Sequence, residues 1–331
     1  MVFEVILVIL IATLLYKWIL SLLDNLPDVS KMTVFITGCD SGFGQDLALK
    51  CLRHDMTVFA GCLTDKGIKE LEDYIPLLPS GILHPIKIDV TTDESVIEAK
   101  NKIEKILEGK GLDGLVNNAG IVGEIGFDDW LTLDSYKAAL EVNLFGVIRV
   151  THAFKELIKM NKGRIVNVAS VMGIVSISGL APYSISKYGI NAFSNAIRTE
   201  YKQFGVTVST LEPGFFKTPL ASPENNKIRI QKQWEKLPEA VKNEYGDEFF
   251  NKTSQTTHDL LDLICSPSTY LVVDAYFHAL TSKFPKARYP VGWDYYFVFY
   301  PFSLMPTYLQ DTFITIVFKI RGIPRPQRMI I

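Results

Sequence analysis

The chain has 331 residues, 48% of them hydrophobic and 21% charged, with a formal net charge of −2. That length fits one large α/β domain with additions or two small domains, and it carries enough apolar sequence for a sizeable core. The balance of charge lacks the basic surplus of nucleic-acid binders, and Cys39, Cys51, Cys62 and Cys265 show neither a CxxC pair nor a histidine-interleaved metal spacing.

The predicted elements begin with an apolar window, 2–23, in which Glu4 and Lys17 are the charged residues. As a helix it would reach about 33 Å, enough for a hydrocarbon core of about 30 Å. The acidic start and the closing Ser21-Leu22-Leu23-Asp24 do not suit a cleaved signal peptide. The window reads as a retained membrane anchor over 1–24, with a buried amphipathic helix as the alternative. Lys17 and Lys31 at its far end place the body on the cytosolic side by positive-inside counting.

From Met32 onward, β-rich runs alternate with helical stretches. Strands are predicted over 33–37, 57–60, 86–88, 114–116, 165–168 and 206–211, and helices over 45–53, 66–74 and 93–107. This alternation implies right-handed crossovers and one doubly wound, Rossmann-like parallel sheet with helices on both faces. On such a sheet ligands bind beyond the carboxyl ends of the strands, near the reversal of strand order. After Val291 the chain becomes apolar and aromatic over 295–300 and 313–318, interrupted by Pro301 and Pro306 and closed by Lys319, Arg321, Arg325 and Arg328. Each run is short for a membrane span. The 291–331 extension reads as an interfacial, lipid-contacting element, or else as one buried against the sheet domain.

Chemistry concentrates where the strands end. Gly38, Gly42 and Gly44 follow the first strand with GxxxGxG spacing. Glycines there permit a tight turn and close backbone approach to a pyrophosphate, with a helix N-terminus aimed at the anion. The end of the second strand, Ala60-Gly61-Cys62-Leu63, carries neither an acidic residue for ribose hydroxyls nor an arginine cluster for a 2′-phosphate. Asp40 in the glycine turn would repel an added phosphate, so NAD is favoured over NADP. Further on, Tyr183 and Lys187 stand four apart and Ser170 lies thirteen before the tyrosine. Positions i and i+4 share a helix face, and an ammonium beside a phenol lowers its pKa from about 10. Such a tyrosine can take a proton from an alcohol held by Ser170.

Together, Thr37-Gly38-(x3)-Gly42-Phe43-Gly44, Asn117-Asn118-Ala119-Gly120, Ser170, Tyr183-(x3)-Lys187 and Pro213-Gly214 resemble, in order and spacing, the short-chain dehydrogenase/reductase superfamily. Leu211-Glu212-Pro213-Gly214-Phe215-Phe216-Lys217-Thr218 and Tyr289-Pro290-Val291-Gly292-Trp293-Asp294 resemble its membrane-bound branch of microsomal retinol dehydrogenases and related hydroxysteroid dehydrogenases. The resemblance implies a catalytic domain over 32–290, with a substrate lid at about 220–257. It assigns catalysis to Tyr183 as base, Lys187, Ser170 and the relay residue Asn143. Cofactor binding falls to Gly38, Asp40, Ser41, Gly42, Phe43 and Gly44, to Asn118, Ala119 and Gly120, and to Pro213, Gly214 and Thr218, with Tyr183 and Lys187 contributing. Asp89 would contact adenine, or else cap the helix after it. Asn117 is expected to stabilise the sheet. Trp234, Phe249 and Phe250 would contact substrate or pack in the core. A retinol-like substrate is favoured over a hydroxysteroid, a non-catalytic NAD-binding scaffold being the other class. An endoplasmic reticulum membrane and a homodimer paired through the helices around Asn143 and Tyr183 complete the implied picture.

Overall fold

Apolar runs without a polar face become strands that are covered on both sides. The computed structural model describes residues 28–77 and 81–326, together with Glu4, Val8, Ile11, Ala12 and Leu15. Its strands are β1 (Thr33–Thr37), β2 (Thr57–Cys62), β3 (Ile82–Lys87), β4 (Gly114–Asn117), β5 (Arg164–Val168), β6 (Thr207–Pro213) and β7 (Arg288–Val291). They form one sheet in the order β3-β2-β1-β4-β5-β6-β7, every neighbouring pair parallel. The order reverses between β1 and β4, where Phe35 pairs with Leu115. A crevice therefore opens beyond the carboxyl ends of these two strands.

Successive residues of a strand face opposite sides, and the helices divide accordingly. Val34, Ile36, Val58 and Val116 pack against α1 (Gly42–Arg53), with α2 (Asp65–Glu72) on the same face. Phe35, Phe59, Leu115 and Ile165 pack against α3 (Asp93–Leu107) and, beyond α4 (Leu133–Leu140), against α5 (Gly146–Met160) and α6 (Ala181–Tyr201). After β6 come α7 (Pro223–Lys236), α8 (Glu239–Tyr245), α9 (Asp247–Ile264) and α10 (Tyr270–Thr281), the last returning to the α1 face. The chain ends in α11 (Tyr300–Ser303) and α12 (Thr307–Ile320), the latter with no buried residue.

Several boundaries differ from the sequence reading. β3 starts at Ile82 and carries Pro85, which a strand at the sheet edge tolerates because one side of its backbone makes no ladder bonds. β7 was not predicted. Pro290 breaks its β pattern, but it too is an edge strand. The helix predicted from Gln45 begins at Gly42, and that predicted over 66–74 runs from Asp65 to Glu72. Of the 1–24 anchor, most lies outside the described residues, and among those described no helix is long and apolar enough to cross a membrane.

One polar chain crosses the core. Asn117 Nδ2 donates to Thr151 Oγ1 at 3.0 Å and to Asn167 Oδ1 at 2.8 Å, while Asn167 Nδ2 donates to Ser194 Oγ at 2.9 Å. It ties β4 and β5 to α5 and α6, as expected of Asn117. Asn167→Ala should strand buried donors and acceptors and lower stability by about 1–3 kcal/mol. The urea midpoint would fall with the slope unchanged.

Candidate active site

Gly38 has φ +72°, and a Cβ on it would lie 2.7 Å from Ala119 Cα; one on Gly44 would collide with the Gly38 carbonyl and the Asn118 amide. The glycine turn after β1 thus rests directly on the Asn118-Ala119-Gly120 loop after β4. Asn118 locks the contact. Its Nδ2 donates to the Thr37 and Gly38 carbonyls, both at 3.0 Å, and its Oδ1 accepts from the Tyr276 hydroxyl at 2.8 Å. Nothing in the sequence marks Tyr276, which lies in the mostly apolar α10. Ser41 is the N-cap of α1, yet its side chain makes no capping bond and the first turn holds no acidic residue. Those amide donors are left for an anion.

The Asp40 carboxylate accepts from the Leu63 and Thr64 backbone N–H groups, both at 2.8 Å, and from Thr64 Oγ1 at 2.6 Å. It pins the glycine turn to the end of β2 and sets a negative charge there. The nearby cations are engaged: Lys87 pairs with Asp65 at 2.5 Å and Lys66 with Glu70 at 3.6 Å.

Tyr183 lies in the first turn of α6 and Lys187 one turn later, with Nζ 5.5 Å from the phenol ring centroid. Lys187 is buried, and its ammonium donates to the Val168 carbonyl at 2.9 Å. Ser170, just past β5, accepts from Met172 N–H at 3.1 Å and lies close enough to the phenolic oxygen to favour its ionised form. Tyr183 is surrounded by protein, though part of its surface stays open to the cavity. Here the electrostatics differ from the sequence expectation. Burial pushes the Tyr183 phenol up to about 12, against the Ser170 hydrogen bond, and pushes Lys187 down to about 8. Withdrawal from water disfavours both charged forms.

Asn143 sits in a π-helical turn over Glu141–Phe145, between α4 and α5. Such turns displace a helix locally, which no apolar periodicity announces. Its Oδ1 accepts from Ile121 N–H at 2.8 Å, and its Nδ2 donates to the Ile121 carbonyl at 2.8 Å and to Ser186 Oγ at 3.0 Å. Ser186 in turn donates to the Tyr183 carbonyl at 2.7 Å. Asn143 therefore fastens the loop after β4 to the helix that carries Tyr183 and Lys187.

These parts line one cavity of about 440 Å³. Gly38, Asp40, Ser41, Gly42, Phe43, Asn118, Ala119, Gly120, Ser170, Tyr183, Lys187, Pro213, Gly214 and Thr218 all border it. So do Val122, Trp130, Leu180, Leu260 and Ile264, and, from the C-terminal segment, Val317, Phe318 and Ile323. Gly44 and Asn143 lie behind its walls. Asp89 does not border it; its Oδ1 accepts from Thr91 N–H at 2.9 Å and Thr91 Oγ1 at 2.7 Å, in the turn leading into α3. Trp234, Phe249 and Phe250 pack in a buried cluster with Trp130 instead of lining the cavity.

Residues 32–229 match the short chain dehydrogenase family. The chain belongs to that family. It is 41% identical to a 17-beta-hydroxysteroid dehydrogenase type 6 of Bos taurus over 90% of each chain, and 38% identical to a retinol dehydrogenase 5 of Homo sapiens over 95% of each. A short-chain dehydrogenase of Streptomyces avermitilis shares the fold, with a TM-score of 0.67 and 22% identity, covering 89% of this chain and 100% of its own. In this dehydrogenase, Lys187 titrates near 10.5 when unfolded but near 8 when folded, so folding expels its proton between those values. Its contribution to stability is unfavourable below pH 8 and improves as pH rises toward 10.5. Measured by denaturant titration, the stability of Lys187→Met relative to wild type should fall by roughly 2–3 kcal/mol between pH 7 and pH 10.

Proposed function

We propose that the chain interconverts a hydrophobic alcohol and its carbonyl with NAD, the substrate being retinol-like or a hydroxysteroid. One observation carries this reading: Ser170, Tyr183 and Lys187 converge on a cavity whose remaining wall is largely apolar. The relatives' names, retinol dehydrogenase and hydroxysteroid dehydrogenase, support both substrate classes.

The residues present fit a nicotinamide dinucleotide. The uncapped start of α1 offers amide donors to a pyrophosphate, and Gly120 leaves open the space beside Asn143 and Lys187, where a Cβ would lie 3.2 Å from Asn143 Oδ1 and 3.7 Å from Lys187 Nζ. The fixed charge of Asp40 at the end of β2 supports NAD over NADP. When bound, the dinucleotide would supply the hydride acceptor for oxidation or the hydride for reduction. Ser170 and Tyr183 hold the substrate oxygen. In reduction Tyr183 Oη gives its proton to the carbonyl oxygen; in oxidation the phenolate takes the hydroxyl proton. With its phenol pushed up to about 12, Tyr183 is protonated at neutral pH, so the site is set first as an acid.

A particular observation favours the steroid. Thr253, Thr256 and Thr257 border the cavity from α9 and bring hydroxyl groups that a second substrate oxygen could use. Access to either substrate would come from a membrane. Trp293, Tyr296, Phe297, Tyr300, Leu304, Tyr308, Phe313 and Ile320 form an exposed apolar surface, and the same segment sends Val317 and Phe318 into the cavity wall. Exposed Phe145, Ile185 and Tyr188, near Asn143 and Tyr183, support pairing of two copies there.

Tyr183→Phe should lower turnover about 10²–10⁴-fold while NAD binding persists. Full activity in that variant defeats the mechanism, and NAD binding without turnover of any alcohol by the unaltered protein favours the scaffold reading. In wild type, kcat/KM for oxidation should climb with pH from 6 to 9 as the phenolate fraction rises, while that for reduction, which uses the phenol, should stay level over the same range. Side-by-side turnover of retinol and several hydroxysteroids on purified membranes decides the substrate class.

A further inference from the structure

The end of β6 and the chain after it form one wall of the cavity, through Pro213 to Phe216 and Thr218 to Leu220. At its far end this wall meets the glycine turn: a Cβ on Gly42 would lie 3.9 Å from Pro219 Cδ and 4.0 Å from Thr218 Cβ. Phe43 and Phe216 stand edge to face across the seam, their centroids 6.0 Å apart. Pro213 and Gly214, at the other end, border the same cavity as Tyr183 and Lys187.

Behind the near end of the wall lies Asp294, 1% exposed. One carboxylate oxygen, Oδ2, accepts from Phe215 N–H at 2.7 Å. A Cβ on Gly214 would collide with both carboxylate oxygens, and one on Gly292, at φ +118°, would collide with Oδ1. The carboxyl group thus fills a slot between two glycines. Among the described residues no cation balances it, and Oδ1 has no hydrogen-bond partner. Burial pushes its pKa up, while backbone N–H groups of Phe215 and Tyr295 oppose the shift. The neighbouring buried carboxylate is built differently. Glu212 pairs with Arg288 at 2.5 Å and accepts from the Tyr295 hydroxyl at 2.8 Å. A buried carboxyl without a counter-charge is costly to keep. Packing alone does not account for Asp294, since an apolar side chain would fill the same slot without that cost.

We propose that Asp294 is a positioning residue for the cofactor cleft: it fixes the Pro213-Gly214-Phe215 turn against which the nicotinamide end would rest, and Gly214 lacks a side chain in order to admit it. The inference rests on the dinucleotide reading of the cleft. It links the C-terminal segment, which begins at Gly292-Trp293-Asp294, to the wall beside Tyr183.

The test uses the full chain and two ligands, NAD and ADP-ribose, the second lacking the nicotinamide. Asp294→Ala leaves the Phe215 N–H without an acceptor and should weaken NAD roughly tenfold or more. ADP-ribose, held by the glycine turn, should change less than about twofold in the same variant. Asp294→Asn keeps an acceptor and should restore most of the NAD affinity. Gly214→Ala should weaken NAD in the wild-type background but add little to Asp294→Ala, where the slot has been vacated. Equal losses for NAD and ADP-ribose overturn the positioning role, as does an Asp294→Asn variant as weak as Asp294→Ala. An unchanged NAD affinity in Asp294→Ala, or the same Gly214→Ala penalty in both backgrounds, also overturns it. Should Asp294→Ala not fold, Asp294→Asn and Gly214→Ala still give the comparison of the two ligands. Failure of the unaltered protein to bind either ligand overturns the dinucleotide reading, and this inference with it.

Discussion

Gly38 and Gly44 leave no side chain between the turn after β1 and the loop after β4, so two backbones meet at the point where the strand order reverses. The rest of the site depends on that approach. It aims the uncapped N-terminus of α1 along the crevice, and it lets a single amide, that of Asn118, bind two carbonyls of the facing turn while Tyr276 reaches it from α10. A methyl group at Gly44 would separate the turns and open the seam from which the cavity is built.

At the other end of the cavity the controlling term is burial. The helical spacing of Tyr183 and Lys187 places an ammonium near a phenol, as the periodicity requires. The same packing removes both groups from water, and it shifts each toward its neutral form. The nearby Ser170 hydroxyl partly offsets that withdrawal for Tyr183, while Lys187 donates to the Val168 carbonyl. Asn143 works at one remove, through Ser186 and the loop after β4, and so governs where the helix stands.

The legible parts of this chain are those in which one local physical cause dominates. β1, β2 and β4 are short β-rich, largely apolar runs because helices cover both of their faces, and β5 and β6 keep enough β-branched residues to be recognised despite Asn167, Ser209 and Glu212. β3 and β7 each contain a proline that only their edge position excuses, and edge position is a property of the whole sheet. Trp234, Phe249 and Phe250 could have faced either substrate or core; packing against Trp130 decided it. Asp89 shows the same limit, since capping and adenine contact ask for the same residue type. Its carboxylate is engaged by Thr91.

The sequence by itself determined the α/β sheet, the glycine turn, and the order and spacing of Ser170, Tyr183 and Lys187, because each is a short-range pattern tied to one backbone geometry. Only the tertiary structure decided what those groups feel. The height of the Tyr183 pKa, the depth of Lys187 and the slot that Asp294 fills between Gly214 and Gly292 depend on segments far apart in the chain. Desolvation is set by everything that surrounds a group, and no local spacing encodes it.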